Sequence, residues 1–172
     1  MPKIIEHLRE ALLAETRRQV STHGYAATTV RSVAAACGVG VGTVYNYFPS
    51  KEMLVAGYML EDWQECLNGM RTDIAGCDDA GAVLARIYRG LTEFSDGHRG
   101  LFADREASVA FASASSDKHR MLRQQIAELV APLCGEVSGG SFPAEFIAEA
   151  LVTWSTEGRS FRDVYAVVQK LL

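Results

Sequence analysis

The chain has 172 residues and a mass of 18.7 kDa, enough for one compact unit or for a small module joined to a larger helical body. Hydrophobic residues make up 48% and charged residues 22%, which excludes a disordered, collagen-like or low-complexity chain. The net charge of -4 argues against a wholly basic nucleic-acid coat protein. Residues 1–52 nevertheless carry a net +2, from six basic and four acidic residues, and the other 120 carry -6.

Apolar residues recur at spacings of three and four along the chain, and sustained strand-type alternation is absent. The sequence therefore predicts an all-α protein. Helices are expected at Ile4–His23, Val30–Cys37, Val41–Phe48, Ser50–Ile74, Asp79–Ser95, His98–Ser113, Asp117–Val137, Pro143–Thr156 and Phe161–Leu172. Several ends carry local signals: a stop at Gly24, caps at Thr29 and Ser50, a break at Pro49, Pro143 as first helical residue, and a capping box of Ser160 with Asp163.

The segment 28–51 reads TTVRSVAAACGVGVGTVYNYFPSK and predicts two short helices joined by a tight turn at Gly38-Val39. Small residues at the crossing let two such helices meet at a steep angle, which is typical of a helix-turn-helix. The second helix then projects into a DNA major groove that is about 12 Å wide.

The chemistry of this segment suits DNA. Gly42 lies inside the second helix, where glycine costs about 1 kcal/mol relative to alanine, and close approach to another surface is the usual reason for it. Lys51 opposes the dipole at its helix N-terminus, so its position predicts an anion such as a phosphate. Uncharged hydrogen-bonding groups for phosphates and base edges come from Thr43, Tyr45, Asn46 and Tyr47. At least one of the two tyrosines is expected to be exposed, because residues two apart on a helix diverge.

The run TTVRSVAAACGVGVGTVYNYFPSKEML, behind an amphipathic helix that ends in HGY, closely resembles the N-terminal domain of TetR-type transcriptional regulators over about the first 55 residues. The resemblance implies a helix-turn-helix DNA-binding domain at 1–50 and a helical effector-binding and dimerisation domain at 51–172. It also implies that Arg31, Val41, Gly42 and Tyr45 approach bases and that Thr29, Thr43, Tyr47 and Lys51 hold phosphates. Two positions depart from the family pattern: Gly40 replaces the usual Ser cap, and Val41 replaces a frequent Lys or other polar residue.

Within the family the last two helices pair across a two-fold axis. The resemblance therefore implies a homodimer formed through residues on their apolar faces, which are Phe146, Ala150, Trp154, Phe161, Val164, Tyr165 and Val168. A regulator of this type keeps a cavity in its helical domain, and aromatic residues with a few polar groups favour a hydrophobic effector. The expected lining residues are Trp63, Tyr88, Phe102, Glu106, Phe111 and His119.

Other classes of protein have less support in the sequence. The glycines at 38, 40 and 42 follow GxGxG without a preceding strand, so a dinucleotide-binding loop is not predicted. Recognised catalytic motifs are absent and the four histidines are scattered, so neither an enzyme nor a metal or other cofactor is expected. The four cysteines have no zinc-type spacing and suggest reduced thiols in the cytoplasm, and no transmembrane segment is expected.

The protein is thus expected to be a repressor that binds a palindromic operator as a homodimer and releases it when a small hydrophobic effector binds. An alternative is a helical ligand-binding or adaptor protein whose helix-turn-helix has lost specific DNA binding, since the second helix of that motif is uncharged and begins with Val41. A small enzyme is a further alternative, against which the absence of any clustered acid, base or nucleophile weighs heavily.

Overall fold

A computed structural model describes residues 7–111, 115–135 and 140–172, with side chains for all of these except 115–118. The described part of the chain contains helices and turns and no strand, so the predicted all-α class is confirmed. The α-helices are α1 (Leu8–His23), α2 (Val30–Ala36), α3 (Val41–Tyr47), α4 (Lys51–Ile74), α5 (Ala80–Gly97), α6 (Arg99–Phe102), α7 (Arg105–Phe111), α8 (Ser115–Val130), α9 (Phe142–Thr156) and α10 (Phe161–Val168). Short 3-10 turns follow α8 at Ala131–Leu133 and α10 at Gln169–Leu171.

The predicted stop at Gly24 and the predicted caps at Thr29 and Ser50 are confirmed. The Thr29 hydroxyl accepts a hydrogen bond from the Ser32 amide, and the Ser32 hydroxyl accepts one from the Thr29 amide, so the two residues form a capping box. The Ser50 hydroxyl accepts from the Met53 amide at the start of α4. Gly24 ends α1 with φ +83°, a conformation that glycine adopts without a steric penalty. Ser160 caps α10 by accepting a hydrogen bond from the amide of Asp163. The predicted capping box is only half formed, because the Asp163 carboxylate accepts from the Ser160 hydroxyl instead of from the Ser160 amide.

Most predicted helices differ from the structure by one to four residues at their ends; α9, for example, begins at Phe142, so Pro143 is its second residue and not its first. Two predicted helices differ by more. The helix expected at His98–Ser113 is divided into α6 and α7, because Asp104 Oδ1 accepts hydrogen bonds from the amides of Glu106 and Ala107 and starts a new helix. The helix expected to reach Val137 ends at Val130, because Pro132 lacks an amide hydrogen for the helical ladder. Residues 136–139 lie outside the described part, as do residues 1–6 at the expected start of the first helix.

The structure separates into two compact units. The described residues of the first unit are 7–63 and 98–111, and those of the second are 64–97, 115–135 and 140–172. The division falls inside α4 rather than before it, because the first half of α4 shares a core with α1, α2 and α3. The central side chains of that core are Leu12, Leu13, Val33, Val44, Leu54 and Val55, all at most 1% exposed.

In the second unit α9 is the central helix, and it packs against α8, α5 and α10. Ile147 and Leu151, four residues apart on one face of α9, are fully buried in this unit. Tyr88 on α5 is buried, and its hydroxyl donates to the Arg159 carbonyl oxygen at 2.8 Å, just before α10. No helix in the described residues is long and apolar enough to span a membrane.

Candidate nucleic-acid interface

The turn between α2 and α3 has the compact geometry of a helix-turn-helix. Gly38 has φ +68°, which lets the chain reverse without strain because glycine has no Cβ. The amide of Val39 donates to the Ala34 carbonyl oxygen at 3.0 Å and closes the end of α2. Gly40 stands at the N-cap of α3 and provides no side-chain cap, so the departure from a Ser cap leaves that helix start without a capping side chain.

One face of α3 holds the helix in place, and the other is open to solvent. Val44 is fully buried, and Val41 and Tyr47 are half-buried and pack against the core of the first unit. Gly42 and Tyr45, three residues apart, lie on the exposed side. Tyr45 is 49% exposed, which confirms that the two tyrosines of α3 diverge.

The remaining predicted DNA contacts lie around this helix. Asn46 is exposed and follows Gly42 by four residues, so it shares the open face. Arg31 on α2 is exposed and makes no ion pair or hydrogen bond with the residues that the structure describes, and Thr29 is exposed at the N-cap of α2. Thr43 is half-buried. Residues 28–51 contain no acidic side chain, so this segment itself carries no charge that repels a phosphate backbone.

Among the residues that the structure describes, none packs against Gly42. A Cβ built on it would meet no atom within 4 Å, although glycine weakens a helix by roughly 0.5–1 kcal/mol relative to alanine. Gly57 on α4 is a useful contrast, because a Cβ there would lie 2.8 Å from Leu13 Cδ2 and 3.0 Å from Phe48 Cε1. The core therefore accounts for Gly57, whereas no contact within the described residues accounts for Gly42.

Lys51 has a partner that the sequence analysis missed. Its Nζ lies 3.8 Å from the centroid of the Tyr25 ring, a cation–π contact that compensates for the unfavourable helix dipole. The Tyr25 hydroxyl donates to Glu52 Oε1 at 3.1 Å. Burial, together with the carboxylate of Glu52, raises the pKa of Tyr25 to about 12. Lys51 and Tyr25 are far apart in sequence, which is why no spacing pattern identified the pair.

An open cleft of about 570 Å³ adjoins this group in the first unit. It is lined by Tyr25, Lys51, Glu52, Arg105, Glu106, Val109 and Ala110. Glu106, predicted as an effector-binding residue, therefore lies beside the candidate phosphate contact Lys51. Phe111, another predicted effector residue, packs edge-on against the Tyr25 ring at 5.9 Å between centroids.

The other predicted effector residues are more dispersed. Phe102 is 48% exposed, with its ring 6.0 Å from that of His98, and Trp63 is buried; both belong to the first unit. Tyr88 and His119 belong to the second. His119 Nε2 lies 3.6 Å from a carboxylate oxygen of Glu149. Within either unit, the described residues include no group of three or more His, Cys, Asp or Glu that could hold a metal ion.

The predicted dimer residues divide into exposed and buried sets. On α9, Phe146 and Trp154 are 48% and 36% exposed, and Ala150 between them is half-buried. On α10, Phe161 and Tyr165 are half-buried with stacked rings. Val164 and Val168 instead lie in the protomer core, where they are 6% and 1% exposed. Phe142 and Val167, which the sequence pattern did not single out, are also exposed apolar residues of these two segments.

Comparison with known proteins agrees with this geometry. The family model "Bacterial regulatory proteins, tetR family" matches residues 12–58. The HTH-type transcriptional repressor Rv1474c of Mycobacterium tuberculosis is 32% identical over 139 residues, which cover 72% of this chain and 73% of that protein. The HTH-type transcriptional repressor KstR of Rhodococcus jostii is 26% identical over 170 residues, covering 91% and 76%.

Solved structures share the fold over almost the whole chain. A TetR-family regulator from Pectobacterium atrosepticum has a TM-score of 0.70 at 22% identity, with 96% of this chain and 91% of that chain covered. FadR of Thermus thermophilus, a TetR-family repressor solved in complex with lauroyl-CoA, has a TM-score of 0.63 at 22% identity, with 95% and 92% covered. The chain thus belongs to the TetR family of helix-turn-helix transcriptional regulators.

Proposed function

We propose that this regulator is a ligand-responsive repressor that binds a palindromic operator as a homodimer, with α3 of each protomer in a major groove. The observation that carries the proposal is the exposed face of α3, where Gly42 leaves open space for a close approach of the helix backbone. Two symmetric copies of α3 fit adjacent major grooves when they stand about one helical turn apart. An effector that favours a different spacing would release the operator.

Residues on and near α3 have two proposed roles. The exposed Gly42, Tyr45 and Arg31 approach bases, with Asn46 beside them. Base reading by Val41 is limited to apolar contact such as that with a thymine methyl, and its partial burial against the core shortens its reach. Phosphates are held by residues at helix starts or on the flank of α3, which are Thr29, Thr43, Tyr47 and Lys51.

Fluorescence anisotropy tests the DNA-binding proposal, with the DNA immediately upstream of the protein's own gene and a scrambled duplex as probes. Tyr45→Ala is expected to weaken specific binding by about 1–3 kcal/mol. Lys51→Ala is expected to weaken all sequences similarly and to lower the slope of log K against log salt by about 0.9. Lys170→Ala is the matched control, because Lys170 is an exposed lysine at the far end of the chain. Equal affinity of Tyr45→Ala, Lys51→Ala and the parent would refute these roles.

The homodimer is supported by the apolar row on α9. Phe142, Phe146, Ala150 and Trp154 follow one another at intervals of four, so they share one helix face, and three of them are exposed in the protomer. Phe146→Asp is expected to give monomers in sedimentation analysis at micromolar concentration. Val109→Asp is the matched control, because Val109 is 73% exposed in the first unit. A monomeric parent protein would contradict the proposal.

The proposed effector is small and hydrophobic. Its support is the aromatic content of the helical domain and a structural neighbour, FadR, that was solved with lauroyl-CoA. A thermal-shift screen compares acyl and aromatic compounds with charged metabolites. An effector of the proposed class raises the melting temperature and lowers affinity for the operator. If charged metabolites do as well as lipophilic compounds, the proposed class is wrong.

One observation favours the alternative of a ligand-binding or adaptor protein without specific DNA binding. The helix α3 contains no charged residue, and its first residue, Val41, packs partly into the core. The anisotropy experiment separates the two functions. Equal and weak binding of upstream and scrambled DNA, together with failure to enrich any duplex from a random library, would favour the alternative.

A further inference from the structure

Three helices of the first unit meet at one partly buried carboxylate. Asp62 on α4 is paired through Oδ1 with the Arg17 guanidinium of α1. Its other oxygen, Oδ2, lies 2.9 Å from Nε2 of His98, the residue that precedes α6. The side chains of His98 and Asp62 are only 9% and 18% exposed. We call Arg17, Asp62 and His98 the latch.

The latch is packed around an aromatic ring. Tyr58, one turn before Asp62, is 3% exposed and stacks on the His98 ring with an interplanar angle of 15°. The Arg17 guanidinium carbon lies 5.8 Å from the centroid of the Tyr58 ring. Arg17 Nε is buried and has no hydrogen-bond partner among the described residues. The latch thus joins α1, α4 and the residue before α6 around the buried ring of Tyr58.

The latch lies where the chain leaves the first unit and where it returns to it. The chain leaves the first unit after Trp63 and returns to it at His98. The Asp62–His98 hydrogen bond therefore joins the two ends of the excursion formed by residues 64–97. A rearrangement within that excursion that moves one end relative to the other must stretch or break this bond.

Arg17, the third member of the latch, connects the latch to α3 through α1. Arg17 belongs to α1, and α1 shares a core with α2 and α3 through the fully buried Leu12, Leu13, Val33 and Val44. Because close-packed cores move as units rather than deform continuously, a displacement of α1 carries α3 with it. One path from Asp62 to α3 thus runs through the ion pair with Arg17 and the packed core, and it adds to the direct packing of the first half of α4 in the same core.

We propose that Asp62 and His98 are positioning residues, which hold α1 and hence α3 in one pose and make that pose depend on the state of the 64–97 excursion. The proposal rests on the proposed function, because the pose matters only if two copies of α3 must match an operator. Without the latch, each protomer samples a wider range of poses. The dimer then binds its preferred half-site spacing more weakly and tolerates altered spacings better.

The test measures spacing tolerance. Wild-type protein first selects a duplex from a random library, and that duplex is remade with one or two base pairs inserted between its half-sites. The ratio of the dissociation constants for altered and original spacing is then measured by anisotropy for the wild type, Asp62→Asn and His98→Gln. Arg9→Gln is the matched control, because Arg9 also joins α1 to α4, through Glu61 at 2.8 Å, but it is exposed and contacts no member of the latch.

For Asp62→Asn and His98→Gln the ratio is expected to fall by about fivefold or more, a factor typical of coupled sites, whereas Arg9→Gln keeps the wild-type ratio. Circular dichroism at the assay temperature establishes whether each protein is folded. If Asp62→Asn is not folded, His98→Gln alone provides the test. A purely structural role would change the melting temperature and leave the ratio unchanged, and that result overturns the proposal. Failure of the wild type to select any duplex would instead overturn the proposed function itself.

Discussion

Replacing Gly42 with alanine separates folding from DNA binding, because the two are expected to change in opposite directions. Gly42 lies in the first turn of α3 with φ outside the left-handed region, and its added methyl group meets no atom within 4 Å. Alanine is favoured over glycine in a helix by roughly 0.5–1 kcal/mol. The lower value applies to a first-turn position, so we expect the melting temperature to rise by about 1–2 °C.

The same methyl group is expected to obstruct the operator. If the backbone of α3 packs against DNA at Gly42, an extra carbon at that contact costs about 1–3 kcal/mol, as overpacking does in a protein core. This corresponds to a loss of about 5- to 150-fold in affinity. Anisotropy with the selected duplex at fixed salt measures this loss, and thermal unfolding followed by circular dichroism measures the gain in stability.

Gly69→Ala is the matched control. Gly69 is exposed in the middle of α4, and a Cβ there also meets nothing within 4 Å. We expect this variant to gain about 1 kcal/mol of stability and to bind the duplex with wild-type affinity. If Gly42→Ala binds as tightly as the parent, the backbone of α3 does not approach DNA at this position. An equal loss of affinity in Gly69→Ala would show that stiffer helices, rather than a steric contact, weaken binding.

Two other predictions concern stability. Gly57→Ala places a Cβ 2.8 Å from Leu13 Cδ2 and 3.0 Å from Phe48 Cε1, so we expect about 1–3 kcal/mol of destabilisation and a lower melting temperature; an unchanged value would mean that both side chains can move aside. Hydrogen bonds from Arg18 lower the pKa of Glu15 from its ordinary 4.5 to about 2. This pair stabilises the fold above pH 4.5, and its contribution is lost as the pH falls towards 2. Carboxyl titration by NMR is expected to show the pKa of Glu15 returning towards 4.5 in Arg18→Ala, and a value that stays near 2 would contradict the assignment.

Local signals explain why the first helices were predicted well. Gly24, Thr29 and Ser50 act on residues within four positions of themselves, so the ends of α1, α2 and α4 can be read from the sequence. The same logic failed at Asp104, which caps α7 through two amide hydrogen bonds. An aspartate within an apolar helical pattern reads equally well as an exposed helix residue, and no glycine or proline marks the break.

Contacts between distant residues were not predictable from spacing. Lys51 is 26 positions from the Tyr25 ring that it covers, and His98 is 36 positions from Asp62. The scattered histidines gave no indication that one of them binds a partly buried carboxylate. For α10, periodicity identified an apolar face but not which side of it enters the protomer core, so Val168 was assigned to the dimer although it is 1% exposed within one chain.

The geometry around Lys51 also bears on how an acidic protein can read DNA. Contact with the Tyr25 ring holds the ammonium in place before any phosphate arrives, which reduces the entropy lost on binding. The carboxylate of Glu52 accepts a hydrogen bond from the same tyrosine and offsets the positive charge locally. A neutralised site of this kind attracts phosphate less strongly over a distance, so charge alone gives little affinity for arbitrary DNA. Selectivity in the proposed complex then depends on the fit of the uncharged α3 to the groove, where Gly42 and Tyr45 meet the bases.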